Sequence, residues 1–170
     1  MRPNILKAFV ANPLAGVFVA LLVIFIISAL LSPYFLTGYN LSVVARALAF
    51  VGLVTIGQAS LMILGEIDLS LGVIGGLAGV AAGILMVTYG INPWLTMPLA
   101  LLLGAACGLI NGGLVSFLRL HSLVLTIGTA GIFGGINLVL TKGVAITGIP
   151  QEIQYLGRGD LFGVPIDRKS

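Results

Sequence analysis

ALAFVGLVTIGQASLMILGEIDLSLGVIGGLAGVAAGILMV, residues 47–87, is the stretch whose reading decides the fold. Two long apolar runs flank a short polar break, Gly65-Glu66-Ile67-Asp68-Leu69-Ser70-Leu71-Gly72. Each run is long enough to cross a bilayer, which takes about 20 residues at about 1.5 Å each in a helix. The break holds two of the five acidic residues in the whole chain. A carboxylate at the centre of a lipid-embedded helix costs roughly 2.5–3.5 kcal/mol on insertion scales. The pair therefore reads as the junction between two spans rather than the middle of one.

The rest of the chain extends this pattern. Outward from the junction, the spans read as about residues 14–31, 47–64, 69–87, 94–118 and 123–140, bounded by Pro33, Arg46, Glu66, the Tyr89–Pro93 turn, Arg119 and Lys142. Proline closes the first because it lacks the amide a helix interior needs. The composition agrees: 59% of the 170 residues are apolar, 8% are charged, and the mean hydropathy is +1.20. A soluble domain carries about 25% charged residues. This one has too few to build a water-facing surface, and it is too apolar for disorder. The expected architecture is an all-α polytopic transmembrane bundle of about five spans over residues 1–142, followed by an extracytoplasmic loop or tail over 143–170.

An N-terminal signal peptide is disfavoured. The first apolar run exceeds the usual h-region, and no A-x-A site follows it. Arg2 and Lys7 favour a cytoplasmic N-terminus. Alternation then places Arg119 and His121 inside, and Arg46, Lys142 and the tail outside, so the positive-inside bias is small. Tyr34, Tyr39, Tyr89 and Trp94 all fall at span ends on the outer side, where headgroup-level aromatics sit. The net charge of +3 comes from eight scattered cations, which is no basic patch, and no nucleic-acid partner is expected.

Glycine recurs at four-residue spacing in three of the spans: Gly72/Gly76 and Gly75/Gly79/Gly83, then Gly104/Gly108/Gly112, then Gly131/Gly135. Such residues share a helix face and let backbones approach closely, so these spans should pack against other helices.

Few residues carry chemistry. Asp68 or Ser70 suits the cap of the third helix, accepting bonds from its free amides. Glu66 has no such role and faces a headgroup region, a pore or a cationic partner. Gln58, Ser60, Asn111, Ser116, Thr126, Thr129 and Asn137 lie within spans. They could meet a polar solute or form interhelical hydrogen bonds, typically about 0.6–2 kcal/mol in membranes. Cys107 and His121 are each the only one of their kind. Neither makes a disulfide or a metal site alone. No paired catalytic set, second intramembrane aspartate or Gly-Lys phosphate loop exists. An integral membrane enzyme is therefore disfavoured, and no metal or cofactor is expected on this chain. Asn40-Leu41-Ser42 and Arg158-Gly159-Asp160 match short motifs by chance.

The run MILGEIDLSLGVIGGLAGVAAGIL, residues 62–85, resembles a segment of ribose-type bacterial ABC-transporter permeases, which often read GGIDLSxGxxxxLAG. GLINGGLVSFLRLHSLVLTIGTAGIFGGINLVLTKG, residues 108–143, is similar to the same family further on, with Arg119, Thr126, Gly128 and Thr129 on its pattern. SPYFLTGYNLSVVARALAFVGLVTIGQASLMIL, residues 32–64, resembles its first loop and second span. The two motifs occur in the family's order, and the resemblance covers about residues 14–166.

The resemblance implies import of a sugar or sugar-like solute across the bacterial inner membrane. It implies a second permease subunit, a cytoplasmic ATPase subunit that binds the ATP, and a periplasmic solute-binding protein. The translocation path or its hinge would then involve Glu66, Asp68, Gln58 and Asn111. A loop carrying Glu152, Arg158 and Asp160 would face the binding protein. Two departures stand out. Glu66 replaces a usual glycine. The family also runs to about 300–340 residues, whereas here Gly163-Val164-Pro165 is followed by Ile166-Asp167-Arg168-Lys169-Ser170 instead of a further apolar helix. The expectation is an N-terminal half, working with its complement. The rival readings are a non-functional remnant and a small carrier acting as an antiparallel dimer.

Overall fold

The computed structural model describes residues 13–153. It contains five helices of span-like composition: α1 (Pro13–Leu31), α2 (Gly38–Ile63), α3 (Leu71–Val87), α4 (Pro93–Leu118) and α5 (Ser122–Thr141). No strand occurs among the described residues. Four of the five helices, α1, α2, α4 and α5, are long and apolar enough to cross a membrane. The chain is an all-helical, multi-pass bundle, as the composition requires.

Two helices depart from their expected limits. α2 begins at Gly38 rather than near Ala47, and Arg46 lies inside it. The Arg46 Nε donates to the Ser42 carbonyl at 3.2 Å, one turn back, so the cation is absorbed by its own helix. The actual start is set by Thr37. Its carbonyl accepts from Leu41 N at 2.9 Å and its hydroxyl accepts from Asn40 N at 3.4 Å. Those bonds satisfy amides that a helix start leaves free. α3 is the opposite case. It starts at Leu71 and holds 17 residues, because the chain before it is unwound.

By contacts the chain forms two compact units, Met1–Ala47 and Leu48–Ser170, with α2 running through the boundary. In the first, α1 is apolar all round, and the connector after it turns sharply. Asn40 Nδ2 donates to the Phe35 carbonyl at 2.7 Å, and the Phe25 and Phe35 rings meet edge to face at 5.3 Å. The asparagine of the apparent glycosylation sequon thus sits in the first turn of α2, with its side chain tied to the backbone of the connector. Ser32, Tyr34, Phe35, Thr37, Tyr39 and Asn40 line a shallow bowl there.

In the second unit α3 packs against both α4 and α5. Ile74, Leu77, Cys107 and Phe133 form the buried core, with Val73 and Leu103 against it. Cys107 is a packing residue in that core, as a small apolar side chain would be. Ser70 meets Asn111 and Ile74 lies beside Gly104, so α3 and α4 run in opposite directions. Val73 lies beside Gly134 and Asn137 beside Gly76, so α3 and α5 run the same way.

The glycine stripes serve unevenly. Gly83 is the tightest: a side chain there would lie 3.2 Å from Ile146 Cδ1, on the segment that folds back after α5. Beyond adjacent residues and the helix's own backbone, no described atom lies within 4 Å of the positions a side chain would take at Gly72, Gly79, Gly108, Gly112, Gly131 and Gly135.

α4 starts with Asn92, whose Oδ1 accepts from Trp94 N at 2.9 Å, and with Pro93 in the first turn, where its missing amide costs nothing. The last residues before the α4–α5 turn and the α5 C-terminus end in left-handed backbone at Arg119 (φ 52°) and Lys142 (φ 53°).

Candidate functional site: the polar break before α3

The break begins with a helix stop. Gly65 has φ +78°, and its amide donates to the Met62 carbonyl at 3.0 Å while Glu66 N donates to the Leu61 carbonyl at 3.0 Å. This six-to-one and five-to-two pair is a Schellman motif, whose left-handed residue is usually glycine because it has no Cβ to clash. The residue in left-handed backbone is Gly65, so a glutamate at 66 is accommodated without backbone strain.

From Ile67 to Ser70 the chain is closed by side chains of other helices. Ile67 N donates to Ser122 Oγ at 3.2 Å, and Leu69 N donates to Thr126 Oγ1 at 3.2 Å. The match is geometric. Alternate amides of an extended segment are about 6.6 Å apart, and side chains one turn apart on a helix are about 6 Å apart. Ser122, Thr126 and Thr129 fall on one face of α5, and all three are buried. Thr129 instead donates to the Thr126 carbonyl at 3.4 Å. In lipid, non-helical backbone needs such partners, since no water is present to satisfy free amides.

Ser70 is the node. It has no exposed surface, while Thr126 retains 2% and Asn111 3%. Its amide and its hydroxyl both donate to Asp68 Oδ1, at 2.7 and 2.6 Å. Its hydroxyl in turn accepts from Asn111 Nδ2 on α4 at 2.7 Å. The donor order is therefore Asn111 to Ser70 to Asp68. Charge-assisted bonds of this kind are the stronger ones, and here they compensate the half-buried carboxylate.

The structure sorts the residues singled out in the sequence. Asp68 and Asn111 come together through Ser70. Asp68 turns the chain into α3, but its bonds fall on Ser70, one residue ahead of the helix, and Ser70 makes no cap bond of its own. Glu66 is half-buried, and its carboxylate has no hydrogen bond or ion pair among the described residues. Gln58 lies on α2 and shares no hydrogen bond with the cluster. Its Oε1, like Asn111 Oδ1 and Asn137 Oδ1, is buried without a donor among the described residues. Glu152 is exposed, and Arg158 and Asp160 lie outside the described residues.

Ser60 makes no interhelical bond. It donates to the Ile56 carbonyl of its own helix at 2.9 Å. Ser122 is the residue that sequence reading passed over, because it sits at the end of a span. Its signal was the run Ser122, Thr126, Thr129 at spacings of four and three, one hydroxyl face of a helix.

Comparison with known proteins bears on this arrangement. Residues 44–162 match the family model described as "Branched-chain amino acid transport system / permease component". The autoinducer 2 import system permease protein LsrC of Escherichia coli O9:H4 (strain HS) is 34% identical over 149 residues, covering 85% of this chain and 42% of that protein. The D-allose transport system permease protein AlsC of Escherichia coli (strain K12) is 33% identical over 153 residues, covering 89% of this chain and 47% of that protein. LsrC of Enterobacter sp. (strain 638) is 31% identical over 159 residues, covering 94% and 46%. The chain thus spans less than half the length of these relatives. No solved structure matches it. The matched stretch includes the break, the hydroxyl face of α5 and Asn111, and this chain belongs to the branched-chain amino acid transport system permease component family.

Proposed function

We propose that this chain forms the N-terminal part of the membrane path in an ATP-driven, binding-protein-dependent importer of a sugar or sugar-like solute in the bacterial inner membrane. The observation that carries the reading is the likeness to both LsrC and AlsC across the polar break and the helices around it. The family description speaks of branched-chain amino acids, whereas these relatives are named for autoinducer 2 and D-allose. The relatives match more of the chain, so they weigh more in the choice of solute class.

The polypeptide's part in this is passage and not catalysis. ATP is bound and hydrolysed by a separate cytoplasmic subunit, a second permease subunit completes the path, and a periplasmic protein delivers the solute. Asp68 and Asn111 act by holding the break that starts α3. Glu66 and Gln58 are the polar groups left to face the path. Glu152, Arg158 and Asp160 lie on the side that meets the binding protein.

The test is uptake of labelled D-allose, ribose and leucine in cells lacking their own importers. The chain is expressed with the remaining permease half, the ATPase and the binding protein. Sugar uptake that needs every component and stops with an ATPase-dead partner is the expected result. Leucine uptake instead would move the solute class to amino acids. Uptake into proteoliposomes by this chain alone, without ATP, would sink the importer reading in favour of a self-sufficient carrier. Absence of uptake with every component stably present would favour a non-functional remnant.

A further inference from the structure

The connector between α1 and α2 holds a cavity of its own. Ser32, Tyr34, Phe35, Thr37, Tyr39 and Asn40 line it, and it measures about 570 Å³. That lies within the range of about 300–1,000 Å³ usual for small-molecule sites. Its wall is braced from within. Thr37 Oγ1 donates to the Tyr34 carbonyl at 2.7 Å, Asn40 Nδ2 to the Phe35 carbonyl at 2.7 Å, and the Phe35 amide to the Ser32 carbonyl at 3.1 Å. Phe25 backs Phe35 edge to face at 5.3 Å. A connector tied in this way has little freedom left to lose on binding.

These ties use the Thr37 hydroxyl and the Asn40 side-chain nitrogen and leave the other polar groups over. Ser32 Oγ, the Tyr34 and Tyr39 hydroxyls and Asn40 Oδ1 make no hydrogen bond among the described residues. Three of these are hydroxyls, which donate and accept, and the fourth accepts. Tyr34 and Tyr39 are 75% and 60% exposed, so their rings are open to a ligand. No charged residue occurs from Pro13 to Ala45, and the Arg46 Nε is turned back onto the Ser42 carbonyl. An anion or a zwitterion would find no counter-charge in this lining, and its desolvation would go uncompensated. An uncharged ring with hydroxyls at its edge and an apolar CH face matches both halves of the wall. The bowl is also within reach of water. α2 has 26 residues, about 39 Å, against a hydrocarbon core of about 30 Å. Its far end is apolar, Leu61-Met62-Ile63, whereas its first turns carry Tyr39, Asn40, Ser42 and Arg46. The excess length therefore stands out of the core at the bowl.

We propose that the α1–α2 connector is a binding site for an uncharged sugar ring. Tyr34 and Tyr39 take its apolar face, and the Ser32 hydroxyl and Asn40 Oδ1 take its hydroxyls. The choice of a sugar rests in part on the solute class proposed above; the preference for an uncharged, hydroxyl-bearing ring rests on the lining alone. Such a ring reaches the site either as a free monosaccharide or as the headgroup of a glycolipid.

The experiment uses the full chain, carrying 3-fluorotyrosine, in phosphatidylcholine nanodiscs read by fluorine magnetic resonance. D-ribose, D-allose, leucine and inorganic phosphate are titrated, and a second set of nanodiscs carries galactosyl diacylglycerol. The Tyr34 and Tyr39 signals should shift saturably with the sugars, the glycolipid or both, while Tyr89, on the α3–α4 connector, stays in place. A response to free sugar alone assigns the site to a solute, and a response to the glycolipid alone assigns it to a lipid. Leucine and phosphate should shift neither signal. Tyr39→Phe removes one oxygen from an exposed residue and should weaken binding about 2–10-fold, read at Tyr34. Ser32→Ala should do the same, and if it disturbs the connector, Tyr39→Phe decides. Sugars and glycolipid that leave both signals in place, or that shift Tyr89 equally, overturn the proposal, as does leucine binding as well as the sugars. The titration needs no transport. Sugar uptake without binding here would remove this site and leave the importer reading, whereas leucine uptake would remove that reading and leave the titration to decide.

Discussion

α2 and α5 look alike in sequence and behave differently in structure. Both are apolar helices carrying hydroxyl side chains. On α2, Thr55 donates to the Val51 carbonyl at 2.7 Å and Ser60 to the Ile56 carbonyl at 2.9 Å, each within its own helix. On α5, Ser122 and Thr126 accept from backbone amides more than fifty residues earlier in the chain. A hydroxyl in lipid must find a partner, and the nearest carbonyl one turn back is always available. It takes a more distant partner only where packing brings an unsatisfied group into reach. The α2 hydroxyls Thr55 and Ser60 are thus locally satisfied, whereas Ser122 and Thr126 of α5 hold together a broken span.

The contrast can be broken experimentally, starting at its node. Ser70→Leu forces a large side chain into a position with no exposed surface and strips Asn111 and Asp68 of their shared partner. Overpacking and an orphaned buried amide each cost about 1–3 kcal/mol, so a loss of about 3 kcal/mol or more is expected in detergent-micelle unfolding. Thr126→Val keeps the shape but leaves the Leu69 amide without its acceptor. It should cost about 1–3 kcal/mol. The matching change on α2, Thr55→Val, should cost under about 0.5 kcal/mol, because no other segment depends on that hydroxyl. Equal losses at 55 and 126 in the same unfolding measurement would erase the distinction between the two helices.

Backbone changes sharpen it further. Gly65→Ala places a Cβ in left-handed backbone and should lower stability by about 1 kcal/mol, read as a lower thermal midpoint. Glu66→Gly, one residue on, should be the milder change, since residue 66 lies outside the left-handed position. The smallest effect is expected at Lys142→Gly. That residue sits at φ 53°, so glycine relieves the Cβ clash while removing a cation that favours a helix C-terminus. The net gain should stay below about 1 kcal/mol.

Some of this was legible in the residues themselves. Long apolar runs make the chain an all-helical membrane protein, because backbone polar groups in lipid must be satisfied within a helix. Gly65-Glu66-Ile67-Asp68 marked the break, but of Glu66, Asp68, Gln58 and Asn111, singled out together, only Asp68 and Asn111 are linked, through Ser70. Helix limits were less legible where a charge was taken for a boundary. Arg46 can bond its own helix, and so it ends nothing. The glycine stripes announced close packing, and Gly83 and Gly104 meet neighbours, but spacing alone does not say which members of a stripe are covered.

The sequence by itself determined that the chain is helical, lipid-embedded and interrupted before α3. Hydropathy and the positions of a few charges suffice for that, because the bilayer rejects nearly every alternative. Only the tertiary structure decided how the interruption is tolerated. The Ile67 and Leu69 amides are satisfied by hydroxyls on another helix, and Ser70 is held by an asparagine forty-one residues away. Those partners are set by the three-dimensional approach of α3, α4 and α5, which no local spacing encodes.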